Sequence, residues 1–134
     1  MKNRFLTSLL FIFATSSSLF AAQVAEITNE NFFEKVILSK KPVILTFYGE
    51  QCKPCSQLKP IFSELNEKYG EEVQFARANV ATQRDMATQF GVKGIPTIVF
   101  LKPDTPWPKI VKTKVGLMSK QDFDEEIVQF KSSK

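Results

Sequence analysis

The chain has 134 residues, 43% hydrophobic and 24% charged, which is the size and balance of one globular domain and not of two, nor of a disordered or fibrous protein. Eighteen basic against fourteen acidic side chains give a formal charge of +4. Histidine is absent, which excludes histidine metal sites and every Cys-His or Ser-His-Asp catalytic arrangement.

Residues 1–22 read as a secretory signal peptide: Lys2 and Arg4, an apolar run from Phe5 to Ala14, then a Thr/Ser-rich exit to Ala21 and Ala22. At ~1.5 Å of rise per residue that run covers about half of a ~30 Å hydrocarbon core, so a spanning helix would have to recruit the Thr/Ser stretch too. An uncleaved anchor is the alternative, because Leu19 or Phe20 stands where a small residue is preferred before the cut. The expected mature domain is 23–134. Without Lys2 and Arg4 its charge falls to +2, and its lysines and glutamates are interspersed with no basic stripe, so no nucleic-acid partner is expected.

Val24 to Ile27 reads as a short strand, with Thr28 or Asn29 as N-cap to a helix carrying Phe32, Phe33, Val36 and Ile37 through Leu38. Lys40-Lys41-Pro42 ends it. Val43 to Tyr48 is a near-continuous apolar run, the pattern of a strand buried on both faces. Cys52-Lys53-Pro54-Cys55 then opens a helix with Leu58, Ile61, Phe62 and Leu65 at helical spacing, an internal Pro60 expected to kink it, and Gly70 at its end. Val73 to Asn79 alternates as a strand, with Val73, Phe75 and Arg77 on one face. Residues 82–90 read as a helix closed by Gly91. Thr97 to Leu101 is a strand entered through Gly94-Ile95-Pro96. A Pro-rich turn around Trp107 leads to the strand Ile110–Val115, and Ser119 caps a last helix bearing Phe123, Ile127, Val128 and Phe130. The order is β-α-β-α-β-α-β-β-α, an α/β domain. Helices between strands imply a parallel core, and the closing β-β step an antiparallel hairpin.

Cys52 and Cys55 are the only cysteines. A bridge between them closes a loop too short to restrict the unfolded chain much, so chemistry is a better account of the pair than stapling. Cys52 sits at a helix N-terminus, where unpaired N–H groups and the helix dipole favour a thiolate. It is the expected attacking thiol, with Cys55 one turn on as the resolving one. Lys53 adds positive charge beside that sulfur, and Pro54 stiffens the first turn at no hydrogen-bonding cost. Two sulfurs alone make an incomplete zinc site, so no metal is expected.

The strand, the Cys-x-Pro-Cys helix start, the internal proline and Gly94-Ile95-Pro96-Thr97 together resemble the thioredoxin family. The resemblance spans the mature chain and extends through Thr113-Lys114-Val115-Gly116 and Leu117-Met118-Ser119-Lys120. It implies a thioredoxin fold, a central mixed β-sheet flanked by helices, and a thiol–disulfide oxidoreductase, which the leader would make an exported one, expected in the periplasm of a Gram-negative bacterium. It needs no cofactor beyond its own redox disulfide. Implied partners are protein disulfide or dithiol substrates; export adds the expectation of a membrane redox partner, and with no dimerisation segment evident the protein is expected to be a monomer. The resemblance further implies that Pro96 is cis and faces the cysteines, that the Ile95 backbone pairs with substrate, and that Tyr48, Gln51 and Gly116 border the groove.

Departures from the family pattern are as specific. Gln51 stands where the family has Trp and Lys53 where it has Gly, which makes the groove more polar and more positive. Thr46 replaces a buried aspartate beneath the second cysteine and cannot act as a base at neutral pH. Arg77 replaces a lysine and stays charged in any setting. These four positions point to altered redox tuning. Ile95 and the thioredoxin-like tail favour a reductase over an oxidase or isomerase. A partner-binding module and a carrier of a thiophilic metal are the readings from other classes. Trp107 is expected to be a partly buried aromatic of a stiff turn, the other possibility being a docking tip.

Overall fold

The computed structural model describes residues 23–133, so the leader assigned to 1–22 lies outside the described residues. The elements are β1 (Ala25–Glu26), a single π-helical turn (Phe33–Ile37), β2 (Val43–Tyr48), α1 (Lys53–Tyr69), β3 (Gln74–Asn79), α2 (Arg84–Gln89), β4 (Thr97–Lys102), β5 (Lys109–Val115) and α3 (Lys120–Ser132). They build one five-stranded sheet in the order β1-β3-β2-β4-β5.

β2 occupies the centre, and five of its six residues are buried. Alternation divides them between two cores. Ile44, with Phe75, Ile98 and Phe100, meets Leu58, Phe62 and Leu65 of α1 and Phe123, Ile127 and Phe130 of α3. Val43, Leu45 and Phe47, with Ala76, Ala78, Val99 and Leu101, meet Val36, Met86 and Ala87 on the other face. Edge-on aromatic pairs lock the first core, Phe62–Phe75 at 4.9 Å and Phe100–Phe130 at 5.3 Å between centroids. On the second face Phe90 packs against both Phe32 and Phe47.

The parallel core expected from alternating strands and helices is only half present. β3 pairs parallel to β1 and β2, but β4 lies antiparallel to β2 despite the helix before it. β4 starts at the pole where β3 finished, with Thr97 beside Phe47, and runs the opposite way, giving the mixed sheet.

Three further expectations change. The helix read over 32–38 is one π turn, closed by Leu38 N–H donating to the Phe33 carbonyl at 3.0 Å, with Phe33 and Leu38 exposed. Thr28 caps the turn before it, exchanging hydrogen bonds with Asn31. Val128 points to solvent, and the apolar stripe of α3 is Phe123, Ile127 and Phe130. Trp107 is 62% exposed, against the partly buried aromatic expected. α1 continues through Pro60, which lies on its exposed side.

Candidate active site

β2 ends at Tyr48 and α1 begins at Lys53, so the four intervening residues turn the chain back over the end of the sheet. Cys52 is the N-cap of α1 in extended conformation (φ −127°, ψ 105°). Its Sγ accepts the Cys55 backbone N–H at 3.2 Å, the bond an N-cap serine or aspartate ordinarily makes to a helix's unpaired donors. Its carbonyl accepts from the backbone N–H of Ser56 at 3.1 Å and from the Ser56 hydroxyl at 3.2 Å. Lys53 and Pro54 fill the first two helical positions, where Pro54 lacks only a donor that has no helical acceptor. Cys52 and Cys55 are joined as a disulfide with Cα atoms 5.2 Å apart, and each residue is 8% exposed.

The start of β4 supplies the facing wall. The Ile95–Pro96 peptide is cis, and the Ile95 carbonyl oxygen lies 3.9 Å from Cys52 Sγ. In the disulfide that sulfur carries no proton, so this approach becomes a thiol's hydrogen bond only after reduction. Gly116, at φ +95°, donates its N–H to the Pro96 carbonyl at 2.8 Å, and Thr97 Oγ1 donates to the Gly94 carbonyl at 2.5 Å. Cys52, Cys55, Ile95, Pro96 and Gly116 thus gather at one end of the sheet.

Arg77, Tyr48 and Thr46 belong to a neighbouring row. Glu26, Arg77 and Thr46 are aligned across β1, β3 and β2 on the face that α1 covers. Arg77 Nε donates to Glu26 Oε2 at 2.7 Å, the Tyr48 hydroxyl donates to Glu26 Oε1 at 2.7 Å, and the guanidinium lies 5.2 Å from the Tyr48 ring centre. Burial and the adjacent Glu26 carboxylate raise the Tyr48 phenol above its ordinary range. The Thr46 hydroxyl is buried with no hydrogen-bond partner among the described residues. Lys53 and Gln51 are exposed on the rim.

Two residues here went unmarked in the sequence. Glu26 anchors both Tyr48 and Arg77, 22 and 51 residues away in the chain, so no local spacing could announce it. Gly49 leaves room for Ile95, whose Cδ1 would lie 2.7 Å from a Cβ added there. Its place directly after β2 was the available signal. No group of three or more metal-ligating side chains gathers among the described residues.

Comparison with known proteins agrees with this geometry. A family model described as Thioredoxin matches residues 23–130. The thioredoxins of Acidithiobacillus ferridurans and Borreliella burgdorferi are each 32% identical to the chain, over 94 and 114 residues, covering 70% and 78% of this chain and 83% and 94% of theirs. The solved thioredoxin of Malassezia sympodialis, Mala s 13, matches with a TM-score of 0.72 at 26% identity, covering 83% of this chain and 93% of that one. A two-cysteine helix start, its facing Ile-Pro turn and the mixed sheet behind them occur here within the span that family defines: the chain belongs to the thioredoxin family and is a thiol–disulfide oxidoreductase carrying the Cys52–Cys55 pair.

Proposed function

We propose that this oxidoreductase is exported by its N-terminal leader and works as a reductase of protein disulfides, recharged by a membrane-held dithiol donor. The observation that carries the roles is Cys52 Sγ at the N-cap of α1, accepting the Cys55 N–H at 3.2 Å. That N–H and the helix terminus stabilise negative charge on Cys52 sulfur and hence its thiolate. The thiolate attacks one sulfur of a substrate disulfide. The substrate S–S bond breaks, and the released substrate thiolate takes a proton from water. The Cys55 thiol then gives up its proton to water and attacks Cys52 Sγ. The mixed disulfide opens, and the second substrate sulfur leaves and is protonated. Two electrons pass to the substrate and the enzyme is left with the Cys52–Cys55 disulfide. Thr46 offers no base for the Cys55 proton, so this step is expected to depend on pH through the thiol itself.

The reductase direction is supported by the Ile95-Pro96 turn and by relatives that are thioredoxins. The deciding measurement is the potential of the Cys52–Cys55 couple in glutathione buffers. A value near ~−270 mV fits a reductase, and one near ~−180 or ~−120 mV would make the protein an isomerase or an oxidant instead. Cys52→Ser should abolish insulin-disulfide reduction, and Cys55→Ser should accumulate mixed disulfides. Full activity of Cys52→Ser would refute the assignment. Fractionation of the producing cell, with N-terminal sequencing of the product, tests export and cleavage after Ala21 or Ala22.

A further inference from the structure

The sheet places a second feature at the pole opposite the cysteines. β2 and β4 are antiparallel with Val43 beside Leu101, so the start of β2 and the end of β4 share that pole. Lys40 and Lys41 precede β2 there. Lys102 ends β4 and Lys109 begins β5, directly opposite each other in register. Like charges paired across a hairpin destabilise it, and no carboxylate bridges them or Lys35, Lys40 and Lys41 among the described residues. The connection between Lys102 and Lys109 holds Pro103, Pro106 and Pro108 and raises Trp107, the only tryptophan, 62% exposed. Ile110 beside it is 49% exposed. The opposing carboxylates of this end are Glu34 in the π turn, Glu71 and Glu72 before β3, and Asp104; Glu72 is held by Lys131, and Asp104 accepts the Thr105 N–H.

The chain leading from the basic and apolar residues 1–22 reaches the domain at the same pole. Gln23 lines a cavity of about 450 Å³ together with Lys35, Lys40 and Lys41. From β1 to β5 this end of the sheet spans four strand spacings, about 19 Å, with lysines between the chain entry and the tryptophan. An exposed indole flanked by long ammonium side chains is the combination that settles at the boundary between headgroups and acyl chains. The ring enters and the lysines reach phosphates.

We propose that this pole docks peripherally on an anionic phospholipid surface, Trp107 entering the headgroup layer and Lys40, Lys41, Lys102 and Lys109 meeting phosphates. No helix among the described residues is long and apolar enough to cross a membrane. β4 alone separates the two poles by about 16 Å, which holds the cysteines clear of the bilayer and open to substrate. The inference is independent of the direction in which the disulfide works.

Trp107 is its own reporter. The full chain is mixed with phosphatidylcholine vesicles with and without phosphatidylglycerol, and the emission of its single tryptophan is followed together with quenching by brominated lipid. The expected result is a blue shift and quenching on the anionic vesicles, reversed by salt. In a Lys102→Glu/Lys109→Glu variant, still folded by circular dichroism and still reducing insulin, partitioning should weaken by roughly tenfold or more. That variant keeps residues 1–22, so insertion of the leader alone cannot produce the difference. No shift on either vesicle overturns the proposal, as does an equal shift on neutral and anionic vesicles. A shift that needs no vesicles and grows with protein concentration assigns the tip to a second copy. One that requires native membrane proteins assigns it to a protein partner. Either of these also overturns the lipid assignment.

Discussion

Thr46 and Gly116 show two ways in which a single position in the sheet or at its end bears on stability. Thr46 is only 5% exposed, and its hydroxyl has no hydrogen-bond partner among the described residues, a burial that costs roughly 1–3 kcal/mol. Valine has nearly the same shape without the oxygen, so Thr46→Val should stabilise the fold by about 1 kcal/mol in urea unfolding. A loss of stability would mean that the hydroxyl is bonded after all. At Gly116 the backbone takes φ +95° and an added Cβ would meet nothing within 4 Å, so strain is the whole effect. Gly116→Ala should cost about 1–2 kcal/mol and lower the melting temperature, and an unchanged stability would contradict this. Gly116 and the cysteines were legible because each stands in a short contiguous motif. Glu26 was not, because its partners come from two other strands.

Among the elements, legibility followed the strength of the apolar pattern. β2 was delimited by its unbroken run of strand formers, and α1 by four apolar positions at helical spacing. The segment 32–38 had the same spacing over too few residues. One turn buries only Val36 fully, and the positions that promised a longer stripe, Phe33 and Leu38, stand in solvent. The direction of β4 was hidden because alternating strands and helices do not say at which pole the connection 80–96 ends, and here it ends where β3 finished. α3 is held to β5 by Glu126, whose carboxylate takes both Lys112 and Lys114, the latter at 3.0 Å, and whose side chain is 16% exposed. Its hydrogen bond from Lys112, and then that from Lys114, hold the carboxyl below the ordinary range against the opposing effect of burial. Because the folded value lies below the unfolded one, the bridge contributes fully above the unfolded carboxylate's range and is lost as pH falls through the folded value. Glu126→Gln should therefore be less stable than the parent by about 1 kcal/mol at neutral pH. The gap should close in acid, as read from denaturant midpoints across pH. A gap that persists at low pH would rule out the ionic origin.

At the scale of the molecule, the sheet has to keep two open edges from pairing with other chains. β1 does so by brevity, with two residues. β5 is seven residues long, exposes Ile110, Val111 and Val115, and would serve as a template but for two devices. Lys109, Lys112 and Lys114 punctuate it, and its pairing with β4 slips between Phe100 and Leu101, an irregularity that bends the strand away from flat addition. The protein should accordingly sediment as a monomer in its folded, oxidised form. Replacing Lys109, Lys112 and Lys114 together by threonine, with Glu126→Gln so that no carboxylate is left unpaired, keeps the strand propensity and removes the charges, which leaves the slip in register as the remaining guard. That variant should form larger species in sedimentation velocity at concentrations where the parent stays single. A parent dimer would show that one of these edges is an interface. A variant that remains monomeric would place the protection in the irregularity of β5 and not in its lysines.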